Sequence, residues 1–496
     1  MVNEPNLFAY IALLLWLPLS ILFFALLHAD VAAMCVLLGA ALFLPSRLVI
    51  DLPGAIPDLD RQAIAALAAV VGCLLFRPGR LRHPIRGWSF GLPMAALVGG
   101  AVATAMLNAQ PILIGPRTLP GLTLYDGLAA AFRNLLELGV PFVLGRSLVR
   151  CPDHARRILR VLVYSGIAYS TLILVEVRLS PLFHQLFYGY LQHSFAQTVR
   201  WGAFRPIVFM PHPLAVALFV ATALLASAVL WRSREHSLQL PALTATVWLA
   251  AVMALCKSAA ALAYSVTGLA VIAMARPRGQ AAIAALLASL ILAYPFLRVT
   301  GIFPAEPLVR GIESIAPERA RSLAVRFRNE EMMFERGLER PWFGWGAFGR
   351  SRIHDPSSGA SISLTDGYWL IEFGRAGMVG CGGVFLLLLC PVFLCWRSFP
   401  RISSRGDRRV IGVLAMVVAV SAADLLPNSF LSPARVFLSG ALWGSVTPVL
   451  RRRRRSRTSL AGTSDPSVAG RRGNPAVRGP DSSRLSRSET AGVRSV

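Results

Sequence analysis

Charged residues are scarce in this chain. They make up 15% of its 496 residues, whereas 55% of the residues are hydrophobic. Soluble domains contain roughly a quarter charged residues, and several apolar runs here approach or exceed the ~18 residues that indicate a membrane-spanning helix. The composition therefore excludes a set of ordinary soluble domains. It predicts an all-α polytopic integral membrane protein with one membrane domain.

Acidic residues are especially few, with 25 against 50 lysines and arginines and a net charge of +25. The arginines gather in short loops between apolar runs and in the tail that starts with "RRRRRSR" (451–457). This placement is typical of the positive-inside rule, under which basic loops stay in the cytoplasm. The chain has no basic, aromatic-bearing soluble segment, so we predict no nucleic-acid partner.

Motifs for metal, disulfide or nucleotide chemistry are missing as well. None of the seven cysteines forms a CxxC, and the sequence contains neither a P-loop nor a Gly-x-Ser-x-Gly. His, Cys, Asp and Glu do not cluster with the spacing of metal ligands. We therefore predict no disulfide framework, no metal and no cofactor.

Thirteen apolar stretches are predicted to span the membrane, or twelve if one of the shorter ones does not. They are residues 7–27, 31–49, 62–76, 89–107, 124–145, 158–177, 207–230, 240–256, 259–275, 281–298, 367–396, 409–426 and 435–450. The first lacks a basic segment before it and a clear cleavage site, so we expect a retained helix. Residues 1–450 would form the membrane domain, and the Arg-rich residues 451–496 a disordered cytoplasmic tail.

The basic loops fall on alternate connections between these stretches. With thirteen spans, the cytoplasmic side receives the tail and loops 77–86, 146–157, 231–235, 276–278 and 397–409. The outer side receives loops 108–123, 178–206, 299–366 and 427–434. The longest of these carries arginines nearly matched by acids, as a folded external segment would. Any chemistry is therefore expected on the outer face.

Two arginines are predicted at this outer face, where the positive-inside bias does not favour them. Arg200 and Arg205 lie in "VRWGAFRPIVFMPHPLAVALF", where an outer loop meets the next helix. A guanidinium there either snorkels at the bilayer interface or binds a phosphate through its planar fork. Pro211 and Pro213 are expected to interrupt the helix start and leave irregular backbone around a cavity.

Three further places carry candidate charges. Lys257, the only lysine, lies in the tight outer turn "LCKSAA" and either binds an anion or is a solvated turn charge. Residues 317–338 have the pattern of an amphipathic helix, on which Arg326 or Arg328 either faces solvent or points towards an anionic head group. Arg133 and Glu137 are one helical turn apart inside a predicted span, either as a structural pair or as a functional one.

The end of the long loop combines aromatic rings, glycines and an acid. In "WFGWGAFG" (342–349), the aromatic rings, Trp345 among them, either stack on a sugar or anchor at the interface. Asp366 begins "DGYWLIEFG". It either caps the following helix or serves as a base that takes a proton from an attacking hydroxyl.

In their order, these segments resemble the O-antigen ligase and polymerase superfamily of bacterial membrane glycosyltransferases. The resemblance covers about residues 190–450 and rests on "RWGAFRPIVFMPHPLAVALF", "CKSAAAL", "RFRNEEMMFERGLERPWFGWGAFG" and "DGYWLIEFGRAGMVG". It implies a multi-pass enzyme of the bacterial inner membrane, with about twelve helices, a periplasmic active site and a cytoplasmic C-terminus. Such an enzyme transfers a glycan, without a metal, from a polyprenyl diphosphate to an acceptor sugar hydroxyl.

The resemblance also implies roles for individual residues. Arg205 and either Arg326 or Arg328 would hold the diphosphate, whose departure needs its charge stabilised. Lys257 matches the basic turn of the family. Arg200 and Trp345 complete the expected substrate-binding set.

One departure from the family pattern concerns the base. Ligases of this family place a His-Asn pair before the last long-loop helix, where this chain has "ISLTDGYWL". Asp366 is the nearest titratable substitute, and Ser363 is the alternative by alignment. The missing histidine favours a polymerase-like reaction over transfer to lipid A.

Two other functions stay open. A transporter or flippase for lipid-linked glycans would use Arg133, Glu137 and Asp424, and a non-catalytic assembly component would need no base. The expected partners are a polyprenyl-diphosphate-linked oligosaccharide donor, a glycan acceptor, membrane lipids and other polysaccharide export components.

Overall fold

The fold is all-α and fits a polytopic membrane protein. The computed structural model describes residues 4–51, 58–81, 88–200, 202–233, 236–237, 240–314, 317–363 and 366–461. It is 73% helical, and seven of its described helices are long and apolar enough to cross a membrane. Met1–Leu450 forms one compact unit.

The helices and strands are numbered in chain order. The helices are α1 (Leu7–Leu26), α2 (Ala29–Phe43), α3 (Arg61–Phe76), α4 (Trp88–Leu107), α5 (Leu124–Asn134), α6 (Val140–Leu148), α7 (Pro152–Arg178), α8 (Phe183–Tyr188), α9 (Pro213–Arg232), α10 (Ala242–Leu255), α11 (Ala259–Met274), α12 (Pro277–Val299), α13 (Ala305–Glu313), α14 (Pro317–Leu338), α15 (Tyr368–Ser398), α16 (Arg405–Ala423) and α17 (Pro433–Ala461). A π-helical segment, Leu135–Gly139, joins α5 to α6. The strands form antiparallel two-stranded hairpins: β1 (Val49–Ile50) with β2 (Leu59–Asp60), β3 (Ile112–Ile114) with β4 (Arg117–Leu119), β5 (Val199–Arg200) with β6 (Ala203–Phe204), and β7 (His236–Ser237) with β8 (Leu240–Pro241).

Each of the thirteen apolar stretches contains a helix, but some predicted boundaries are wrong. Helix α9 begins at Pro213 and not at residue 207, because the residue before a proline avoids helical dihedrals and proline suits the first helical position. Helix α2 ends at Phe43 and not at residue 49, just before Pro45. Helix α17 continues to Ala461, past the predicted end of the last apolar stretch at residue 450. The rest of the predicted disordered tail, 462–496, lies outside the described residues.

The centre of the bundle is built around α9 and α16. Every residue of α9 from Ala215 to Leu230 is buried, which is typical of a helix that is apolar on all sides. Helix α9 packs against α7, α10, α11 and α16, and α16 also packs against α12 and α15. This arrangement places the start of α9, next to Arg205, in the middle of the bundle.

Helix α15 is interrupted in its third turn. Gly377 has φ 65° and ψ −166°, a left-handed conformation that favours glycine. The amides of Met378 and Val379 donate to the carbonyls of Pro341 (2.7 Å) and Trp342 (3.1 Å) instead of to their own helix. The glycine- and aromatic-rich segment before α15 therefore repairs a helix break in the membrane domain.

Candidate functional site

A cavity of about 1480 Å³ opens at one end of the helix bundle. No described residue of the five basic connections lines it. Most of its polar lining comes from the connections on the opposite side, which the alternation of helices predicts to be the outer one. The contributing connections are 44–60, 179–212, 256–258, 300–367 and 424–432. The charged lining residues are Arg47, Asp60, Arg61, Arg200, Arg205, Arg321, Arg326, Asp366 and Arg435.

Arg205 is a buried cation in the wall of this cavity. Its side chain is 5% exposed, and its Nη1 donates to the carbonyl of Gln197 at 3.4 Å. Its Nε and Nη2 atoms have no hydrogen-bond partner among the described residues. Burial, with the neighbouring charges of Arg200 and Arg326, lowers the pKa of Arg205 to about 10. The guanidinium is still protonated at pH 7, so it offers two free donors to an anion.

Glu176, near the end of α7, fixes the backbone that follows Arg205. Its carboxylate, 1% exposed, accepts hydrogen bonds from the amides of Ile207 (2.8 Å) and Val208 (2.7 Å). Val208 has φ 51°, and its carbonyl accepts a bond from Gln192 Nε2 at 2.9 Å. Side chains thus supply the hydrogen bonds that the backbone amides and carbonyl of this irregular segment would otherwise lack inside the bundle. The irregular backbone that we predicted from Pro211 and Pro213 is therefore present.

Arg326 and Asp366 form an ion pair at the cavity. The Arg326 Nε and Asp366 Oδ2 atoms are 3.3 Å apart, with 42% and 50% of the two side chains exposed. The N-cap of α15 is Gly367 and not Asp366, so the capping interpretation of Asp366 is wrong. Arg328, the alternative to Arg326, is exposed and lies outside the cavity lining. The structure therefore brings Arg205, Arg326 and Asp366 to one cavity.

Arg200 and Lys257 both lie next to Arg205 but differ in their access to the cavity. Arg200, on β5, lines the cavity. Lys257 does not. Its Nζ donates to the carbonyl of Phe204 at 3.3 Å, which supports the β5–β6 hairpin immediately before Arg205. Its backbone has φ 49° in the turn between α10 and α11, and the next residue, Ser258, reaches the cavity.

Trp345 lies outside the cavity and is 8% exposed. Its ring is covered by the guanidinium groups of Arg336 and Arg340, at 3.6 Å and 4.4 Å from the ring centroid. Its Nε1 donates to the Arg336 carbonyl at 2.8 Å, and its amide donates to the Gly374 carbonyl at 2.9 Å. Trp345 thus holds the loop against α15 and does not meet the cavity.

The charges considered for a transport path lie in two places. Arg133 Nε and Glu137 Oε1 are 3.1 Å apart, and Glu137 lies in the π-helical segment, away from the cavity lining. Asp424 accepts a bond from Asn428 Nδ2 at 2.8 Å and lies 3.8 Å from Arg435 Nη1. Asn428 and Arg435 line the cavity, so only this second group borders it.

Sequence reasoning gave no place in the site to several polar residues of the cavity. His212 caps α9, with Nδ1 accepting from the amide of Leu214 at 3.1 Å and Nε2 3.2 Å from Gln197 Oε1. Burial lowers the pKa of His212 to about 3, so the ring is neutral. Arg47 and Arg61 were missed too. They are basic residues beside a connection that is predicted to be on the outer side, the same signal that identified Arg205.

Comparison of the sequence with protein-family models gives no match, and comparison with curated proteins gives none either. Within the described ranges, no group of three or more His, Cys, Asp and Glu side chains is placed to hold a metal ion.

Proposed function

We propose that this protein is a membrane glycosyltransferase of the polysaccharide polymerase or ligase type. It transfers a glycan from a polyprenyl diphosphate to the hydroxyl of an acceptor sugar. The observation that carries the proposal is the buried Arg205 guanidinium, which lies in the same cavity as the Arg326–Asp366 pair. Two of its nitrogens have no partner in the part of the chain that the structure describes. Arginine is well suited to a diphosphate because its donors match two phosphate oxygens at once.

The chemistry assigns each group a role. The acceptor oxygen attacks the anomeric carbon, and the bond between that carbon and the phosphate oxygen breaks. The diphosphate leaves with the electron pair, and Arg205 stabilises its charge in a water-poor site. The Asp366 carboxylate takes the hydroxyl proton. The Nε atom of Arg326 lies 3.3 Å from Asp366 Oδ2. Arg326 therefore holds the leaving diphosphate next to the base.

The shape of the cavity suits a lipid-linked substrate. Its lining continues to Thr222, which at 1.5 Å per residue lies about 14 Å below the start of α9. This depth is lined by apolar side chains such as Leu38, Leu162 and Leu218, beneath the arginines at the mouth. A donor with an apolar tail and an anionic head has the same arrangement.

We further propose a multi-pass location in the bacterial inner membrane with twelve to thirteen spanning helices. The cavity end would face the periplasm, and the basic connections would face the cytoplasm. Polymerase activity is favoured over ligase activity because the segment "ISLTDGYWL", which leads into α15, contains no histidine.

The test is the glycan profile of a deletion strain that carries wild type, Arg205→Gln or Arg328→Gln. Loss of one such charge contact reduces turnover about 10²–10³-fold. Single repeat units on the carrier should therefore accumulate with Arg205→Gln, and long polymer should persist with Arg328→Gln. Unaltered polymer in Arg205→Gln, at normal expression, would overturn the proposal.

Two further outcomes separate the alternatives. A flippase defect would leave the repeat units on the cytoplasmic face, where an external glycosidase cannot reach them, whereas a polymerase defect leaves them accessible. If Asp366→Asn kept full activity while Arg205→Gln lost it, the assignment of the base would be wrong and the diphosphate site would stand.

A further inference from the structure

The cavity holds more positive charge than its own carboxylates balance. Seven arginines line it, against Asp60 and Asp366. Asp424 approaches Arg435 from outside the lining. Arg200 has a further interaction of its own. The other six lining arginines still exceed these three described carboxylates by three charges. A glycosyl polyprenyl diphosphate has one ionised oxygen on each phosphate, so it neutralises only part of this excess. Uncompensated cations in a partly buried site are costly unless an anion joins them.

Two of the arginines enter the cavity from near its first outer connection. Arg47 follows α2 and has φ 67°, a conformation that a residue with a side chain adopts only when its surroundings impose it. Arg61 is the first residue of α3, and its buried Nη1 atom has no hydrogen-bond partner among the described residues. The neighbouring Asp60, whose Oδ1 accepts from the amides of Gln62 (2.8 Å) and Ala63 (2.9 Å), balances one of these two charges. The other positive charge is left for an anion.

These two arginines face the same space as the proposed diphosphate site. His212 lies close to both groups of arginines. Burial and the charge of His193 lower its pKa most, and the charges of Arg205, Arg326 and Arg47 lower it further. Arg47 and Arg61 also precede residues 190–450, on which the family resemblance rests, so the resemblance gives them no role.

We propose that Arg47 and Arg61 form a second anion subsite, which binds a carboxylate or phosphate group carried by the glycan itself. The substrate class is then an acidic glycan, built from repeat units that contain a uronic acid or a phosphorylated sugar. The proposal rests on the proposed function, because it assigns the diphosphate to the Arg205 side of the cavity.

The experiment measures binding to the purified full chain in lipid nanodiscs. The probes are digalacturonate, galactose 6-phosphate, neutral digalactose and farnesyl diphosphate. Wild type should bind digalacturonate or galactose 6-phosphate at least about tenfold more tightly than digalactose, since a charged hydrogen bond supplies that difference. Which of the two acids binds more tightly distinguishes a carboxylate from a phosphate substituent.

Variants locate the subsite. Arg61→Gln and, independently, Arg47→Gln should weaken the acidic sugar about tenfold and leave farnesyl diphosphate unchanged, whereas Arg205→Gln should do the reverse. Arg61→Lys should recover part of the affinity, and size-exclusion chromatography with thermal melting checks the fold of each variant. Equal affinity for acidic and neutral sugars in wild type, or unchanged acidic-sugar affinity in both glutamine variants, would overturn the subsite. If farnesyl diphosphate alone fails to bind, the diphosphate site falls and the acidic subsite stands.

Discussion

Replacing Gly377 by alanine should release the aromatic loop from α15. The positive-φ backbone at Gly377 (φ 65°, ψ −166°), in a region that essentially only glycine occupies, costs an alanine roughly 1–3 kcal/mol. Its Cβ would lie 2.3 Å from the backbone carbonyl of Trp342, so the loop must move away. The amides of Met378 and Val379 would then lose their acceptors, at about 1–3 kcal/mol each. Together these terms give a loss of about 3–9 kcal/mol, a large part of the stability of a typical domain.

The matched control is Gly382→Ala in the same helix, because a Cβ there meets no atom within 4 Å. Thermal melting of both variants in lipid nanodiscs, with intrinsic tryptophan fluorescence, measures the difference. Gly377→Ala should melt well below wild type or fail to fold, and Gly382→Ala should melt at or slightly above wild type. If both variants melt with wild type, the helix break does not depend on the glycine and our account of the loop is wrong.

Three further predictions concern packing and the Arg205 segment. Gly440→Ala should destabilise the α6–α17 contact, since its Cβ would lie 2.1 Å from the Phe142 carbonyl oxygen; equal melting of Gly440→Ala and wild type would contradict this close approach. Glu176→Gln should weaken farnesyl diphosphate binding while the chain stays folded, because the carboxylate positions the backbone after Arg205. Unchanged affinity would show that the Glu176 hydrogen bonds are not needed to position Arg205. The folded His212 has its pKa lowered to about 3, below the ordinary ~6.5 of the unfolded chain, so stability should be lost as the pH falls below 6.5, by about 2 kcal/mol at pH 5. His212→Asn, which keeps a capping acceptor, should remove that part of the pH dependence, and identical pH profiles would refute it.

Local patterns predicted the parts of the fold that local physics decides. Long apolar runs located the helices, and the 3.6-residue period gave α14 its observed bounds, 317–338. The prolines after Arg205 predicted irregular backbone, and the structure has it. Each of these features depends on residues that are close together in the sequence.

Contacts between segments that are far apart in the sequence could not be predicted from it. Arg61 and Arg326 share a cavity because the helix bundle brings their segments together, and no local pattern encodes that. The break at Gly377 was also invisible, since an isolated glycine in an apolar run is usually tolerated within a helix. Without the break, Trp345 could not be placed against α15.

The most direct test of the diphosphate site is equilibrium binding of farnesyl diphosphate to the full chain in nanodiscs, with Arg205→Gln and Arg328→Gln side by side. Both variants lose one arginine, but only Arg205 lines the cavity. We predict that Arg205→Gln weakens binding at least about tenfold and that Arg328→Gln leaves it within about twofold of wild type. Equal affinities for wild type and Arg205→Gln would contradict the central claim that this buried guanidinium holds the diphosphate.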